Sequence, residues 1–170
     1  MSPRDLSTIS FRGATADLAL RALRFQPVDF IAASAPGTYG PFVGVQVVGP
    51  TGVVLRESGL IDSGADASAF PLWTMQWLGI PEDQCVESEF QGAGGSARQW
   101  SWKEDLPAVI RRHELSLRAN FCDTPLIVLG RSDFFSHFGV YVDEPRRRAY
   151  LRVHRSVRRA RVAPPAALVG

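Results

Sequence analysis

The chain has 170 residues, 45% of them hydrophobic and 21% charged, which suits one globular domain and is too short for a protein built from two homologous lobes. It has no apolar run of 18 residues and no secretory leader pattern, so the expectation is a cytoplasmic protein without a membrane segment. Cys85 and Cys122 lack CxxC spacing and His113, His137 and His154 are scattered, which argues against a disulfide framework and a metal site; both thiols are expected in the core.

Residues 1–39 read as an N-terminal extension and linker, with helix-forming composition over 14–24 and a breaker-rich stretch over 32–41. Two β-rich runs follow, 42–48 and 53–61, around the turn Gly49-Pro50-Thr51-Gly52. This hairpin delivers Asp62-Ser63-Gly64-Ala65-Asp66. Beyond it, residues 71–81 carry apolar residues at helical spacing between Pro71 and Gly79, predicting a short helix or turn whose Trp73 and Trp77 pack into the core. Residues 87–91 and 98–103 are expected to be strands flanking a glycine-rich tip, and 108–111 and 115–119 a further pair. The run Pro125-Leu126-Ile127-Val128-Leu129 ends at Gly130-Arg131 and leads into a short helical stretch.

Charge is unevenly placed. Eight arginines fall within 146–161, so the overall +2 less those eight leaves about −6 on the first 145 residues. The segment 155–170 is a basic, Pro/Ala-rich tail with no aromatic residue for stacking, so it reads as solvated; nucleic acid is not expected as a partner, and the tail is the only segment through which it could bind.

A carboxylate placed where a strand breaks into a glycine turn has a clear use: the turn exposes the side chain and backbone N–H groups hold it. Two such carboxyls close together share one proton, so that one serves as base towards water and the other as acid towards a carbonyl. Asp-Ser-Gly is also ordinary turn chemistry, and the loop gains meaning from the second signal, the apolar run ending at Leu129-Gly130-Arg131-Ser132. Together the two resemble the retropepsin family of aspartic proteases over roughly residues 40–154.

The resemblance implies an all-β, retropepsin-like single-lobe acid protease fold with one short C-terminal helix, closed by a strand pair over 138–143 and 148–153. It implies Asp62 as the catalytic carboxylate, Ser63 bracing the loop across a dimer axis, Gly64 allowing close approach of the two loops, Ala65 where retroviral members also carry Ala, and Asp66 paired with Arg131. Gly92, Ala93, Gly94 and Gly95 would form the tip of a flap over bound peptide. Ser132 departs from the family, which commonly has Asp or Asn after the Arg; here Asp133 comes one residue later. The other aspartates lack a glycine turn, so the second carboxylate would come from another copy of the chain. The implied activity is therefore that of an aspartic endopeptidase acting as a homodimer on peptide or protein substrates, with no cofactor. The alternative is a catalytically silent member kept for dimerisation or peptide binding.

Overall fold

A computed structural model describes residues 25–32, 39–92 and 95–154. The expected helix over 14–24, the flap-tip residues Ala93 and Gly94, and the tail from 155 onward lie outside these residues. The fold is all-β: strands dominate, arranged in one eight-stranded and one four-stranded sheet.

The larger sheet is organised on β2 (Tyr39–Val48), which pairs along one side with β3 (Val54–Ile61) in the register Phe42↔Leu60 to Val48↔Val54. The turn between them closes with Gly49 N–H donating to the Val53 carbonyl at 2.8 Å. On its other side β2 is shared. Its first half pairs with β1 (Gln26–Ala32) and its second with β7 (Leu106–Ile110), which in turn pairs with β8 (His113–Leu117). β1 lies in the stretch read from sequence as extension and linker, yet it is hydrogen-bonded on both edges, to β2 and to β12 (Arg148–Val153). The sheet therefore takes in residues well before 40. β12 continues to β11 (Phe138–Asp143), the hairpin expected at the C-terminal end.

The four-stranded sheet has the order β4 (Phe70–Pro71), β9 (Asn120–Cys122), β6 (Gly95–Ser101), β5 (Val86–Gly92). Between β4 and β5 the expected short helix, α1 (Leu72–Trp77), ends at Gly79 with φ +70°. Trp73 and Trp77 do not join the core: they are 50% and 58% exposed. Four residues apart, they share the outer face of α1, while Thr74, Met75 and Leu78 take the inner one.

One contiguous core joins the sheets, built from Val43, Val45 and Val47 of β2, Ile110 and Leu117 of the β7–β8 pair, and Phe70, Phe121, Phe134 and Phe138. The alternation of apolar residues in β2, β7 and β8 is what turns one face of each strand into this core. Cys122 is buried as expected, but Cys85 is only partly so, its Sγ 3.8 Å from the Met75 sulfur. Burial pushes both thiols upward, helped by Glu82 and Asp83 at Cys85 and by Asp123 at Cys122. Neither is a ready thiolate nucleophile. Among the described residues, no helix is long and apolar enough to cross a membrane.

Candidate active site

Asp62 sits where β3 leaves the sheet. The strand's neighbour there is β10 (Ile127–Leu129), paired in parallel with the register Ile127↔Gly59, Val128↔Leu60 and Leu129↔Ile61. Asp62 N–H extends that ladder by one bond, donating to the Leu129 carbonyl at 3.1 Å. The chain then turns: Ala65 N–H reaches the Asp62 carbonyl at 3.4 Å, and Gly64 N–H donates to Asp62 Oδ1 at 2.8 Å. The other carboxylate oxygen, Oδ2, has no hydrogen-bond partner among the described residues. Asp62 is half-buried while Ser63 and Gly64 at the apex are exposed. A Cβ on residue 64 would lie 3.1 Å from Oδ1, so glycine here lets the carboxylate sit against the backbone.

The returning chain passes along the far side of the same segment. Ala69 and Val128 exchange two backbone bonds of 2.9 Å, Arg131 N–H donates to the Ala65 carbonyl at 2.9 Å, and Ser132 N–H to the Asp66 carbonyl at 2.8 Å. Residues 127–132 are thus held between β3 on one side and residues 65–69 on the other. The Arg131 guanidinium meets the Asp66 carboxylate in an exposed ion pair, as the resemblance implied. Gly130 makes the close passage possible, because a Cβ there would fall 2.3 Å from the carbonyl carbon of Ala67. Replacing it must move backbone rather than a flexible side chain. Gly130→Ala is expected to cost about 3 kcal/mol, the upper end of overpacking penalties, measured by denaturant unfolding; an unchanged midpoint would show that the loop yields without cost.

A buried polar cluster that sequence reasoning missed lies beneath the loop. Ser68 is fully buried and Asp133 is 6% exposed. Ser68 Oγ donates to Asp133 Oδ1 at 2.7 Å and accepts from Gly130 N–H at 3.0 Å. Asp133 accepts further bonds from Phe134 N–H (2.9 Å) and, through Oδ2, from Arg118 N–H (3.0 Å). Asn120 Nδ2 donates to the Ser68 carbonyl at 3.0 Å, and its Oδ1 accepts from Ser101 Oγ at 2.8 Å. The cluster ties the Asp62 loop to the start of the C-terminal helical turn and to the four-stranded sheet.

That helical turn is one π turn, Arg131–Phe135, rather than an α-helix. The turn carries the Asp133 carboxylate to Ser68 Oγ. A sequence signal for the cluster existed in the two polar residues set among apolar ones, Ser68 in Ala67-Ser68-Ala69-Phe70 and Asp133 before Phe134-Phe135.

The expected glycine-rich hairpin forms. β5 and β6 pair from Val86↔Ser101 to Gly92↔Gly95, and Gly95 has φ +112°. Its cross-strand contacts are polar, Arg98 to Glu87 at 3.3 Å, Gln99 to Ser88 at 3.2 Å and Ser96 to Glu89 at 3.2 Å, so little apolar packing fixes its outer part. Five open concavities of about 310–520 Å³ dent the described surface, and Asp62 lines none of these five. Among the described residues no group of His, Cys, Asp and Glu is arranged to hold a metal ion. No protein-family model matches the chain, and no curated protein matches it.

Proposed function

We propose that the chain is a retropepsin-like aspartic endopeptidase, active as a symmetric homodimer in which Asp62 of each copy supplies one carboxyl of the catalytic pair. The observation that carries this reading is the Asp62 carboxylate itself. It stands at the lip of an exposed glycine turn, with one oxygen held by Gly64 N–H and the other open, on a loop anchored from both sides by residues 128–132.

In the proposed reaction the ionised Asp62 of one copy takes a proton from water as the water oxygen attacks the peptide carbonyl carbon. The protonated Asp62 of the other copy gives its proton to the carbonyl oxygen, and a neutral tetrahedral diol results. Proton transfer to the amide nitrogen and return of a hydroxyl proton to a carboxylate break the C–N bond, leaving acid and amine products and one proton on the pair. Water is the only co-reactant. Ser63 and Gly64, exposed at the apex, are the residues through which two such loops meet, and the β5–β6 hairpin is the segment to cover a bound peptide, with Gly92 and Gly95 at the base of its tip.

Because one chain carries one loop, activity must depend on association. Specific activity on an unfolded polypeptide should rise with chain concentration and fall on dilution, in step with the proportion of a species twice the 18.6 kDa chain mass in sedimentation. Cleavage by a strict monomer at concentration-independent rate would overturn the shared site.

A further inference from the structure

Arg111 and Arg112 form the two-residue turn between β7 and β8, closed by the pair Ile110↔His113. Both are in the left-handed region, with φ of 51° and 65°. Hairpin turns with positive φ at both central positions favour Asn-Gly, since a Cβ is disfavoured there. Here the chain places two arginines instead, and His113 Nδ1 donates to the Arg111 carbonyl at 2.7 Å, which pins the turn. Backbone strain kept at adjacent positions, where a simpler turn sequence would relieve it, points to a use for the side chains.

The turn borders an open concavity of about 520 Å³ whose walls also include Arg56 and Glu57 of β3, Ser58 and Gln46. Arg56 Nε donates to Gln46 Oε1 at 3.2 Å. No carboxylate among the described residues, Glu57 included, is within ion-pair distance of Arg56, Arg111 or Arg112. Three guanidinium groups thus border one concavity against one carboxylate. General basicity does not account for this, because the first 145 residues are net negative at about −6.

We propose that this concavity binds a small anion carrying several phosphate groups, of the inorganic polyphosphate or nucleotide type. Guanidinium forks match phosphate oxygens two at a time, and several bordering one concavity favour a multiply charged ligand over a single carboxylate. Gln46 and Ser58 add neutral donors. The absence of an aromatic residue from its lining argues against a stacked nucleic-acid strand. The site is separate from the Asp62 loop and stands whether or not the chain is a protease.

The test is titration calorimetry on the full chain with inorganic tripolyphosphate and, separately, with ATP. The double substitution Arg111→Asn with Arg112→Gly installs the favoured turn, so it should raise the thermal midpoint while weakening binding by about tenfold or more, as expected for two lost charge-assisted contacts. Arg56→Gln, an exposed change that leaves the turn intact, should weaken binding in the same direction. Replacing the tail arginines Arg155, Arg158, Arg159 and Arg161 with Gln should leave it in place. Equal affinity for the two ligands would assign recognition to the phosphate chain alone, and tighter ATP binding would add a contribution from the nucleoside. The proposal is overturned if the wild type binds neither ligand, if the turn variant and Arg56→Gln bind as tightly as wild type, or if the tail variant alone loses binding.

Discussion

Asp62→Asn is expected to reduce peptide cleavage by at least about 10³-fold, within the range that positioned acid and base groups contribute, while leaving the fold intact. Asparagine has the same shape, its Oδ1 still accepts from Gly64 N–H, and the side chain is only half-buried, so the substitution removes the titrating oxygen and little else. Mixing chains makes the result more specific. When equal amounts of wild type and Asp62→Asn are equilibrated, a site needing both carboxyls survives in about a quarter of randomly formed dimers, whereas a site complete in one chain survives in about half of the chains. Fragment yields near a quarter of the wild-type value support the shared pair, and yields near a half refute it. If wild type cleaves no peptide while still forming the dimer, the silent binding module takes the enzyme's place. Cleavage by Asp62→Asn at the wild-type rate would remove Asp62 from the chemistry altogether.

What could be read from the sequence was what is local. The β2–β3 and β7–β8 hairpins are announced by apolar alternation or β-branched runs on both sides of a short turn, the β5–β6 and β11–β12 hairpins follow from the resemblance, and in all four the partners lie within a few residues along the chain. β1 was missed because Gln26-Pro27-Val28-Asp29 offers weak alternation, and its strand character comes from pairing with β12 more than a hundred residues away. The parallel β3–β10 pair is likewise long-range, and a short apolar run such as Ile127–Leu129 does not name its neighbour. The two tryptophans were misplaced for a different reason: hydrophobicity alone does not say which face of a one-and-a-half-turn helix turns inward, and the small inner face was taken by Thr74, Met75 and Leu78. At the candidate site the loop and the Asp66–Arg131 pair could be anticipated as motifs, but the Ser68–Asp133 bond spans 65 positions and links residues that look like an ordinary loop serine and a displaced capping acid.

That buried bond leads to the largest expected change in stability. Asp133→Ala deletes the acceptor for three donors at once, the buried Ser68 Oγ and Phe134 N–H and the partly buried Arg118 N–H. Each stranded buried donor costs about 1–3 kcal/mol, and because Ser68 Oγ has rotational freedom to seek another partner, the expected total is about 3–5 kcal/mol. Asp133→Asn keeps one oxygen in place and sets an amide against a single backbone donor, so it should cost about 1–2 kcal/mol. Asp66→Ala removes only an exposed ion-pair partner, with side-chain exposures of 60% and 86% for Arg131 and Asp66, and should change stability little. Urea unfolding of the three variants is therefore expected to rank Asp133→Ala far below Asp133→Asn, with Asp66→Ala close to wild type. The reverse order, with the exposed ion pair dominating, would mean that the loop is held from outside. If the cluster is the anchor, Asp133→Asn should also lower cleavage at temperatures where the protein is still folded, because the carboxylate that must meet its counterpart within a few tenths of an ångström rides on a loop whose underside is fastened through Ser68.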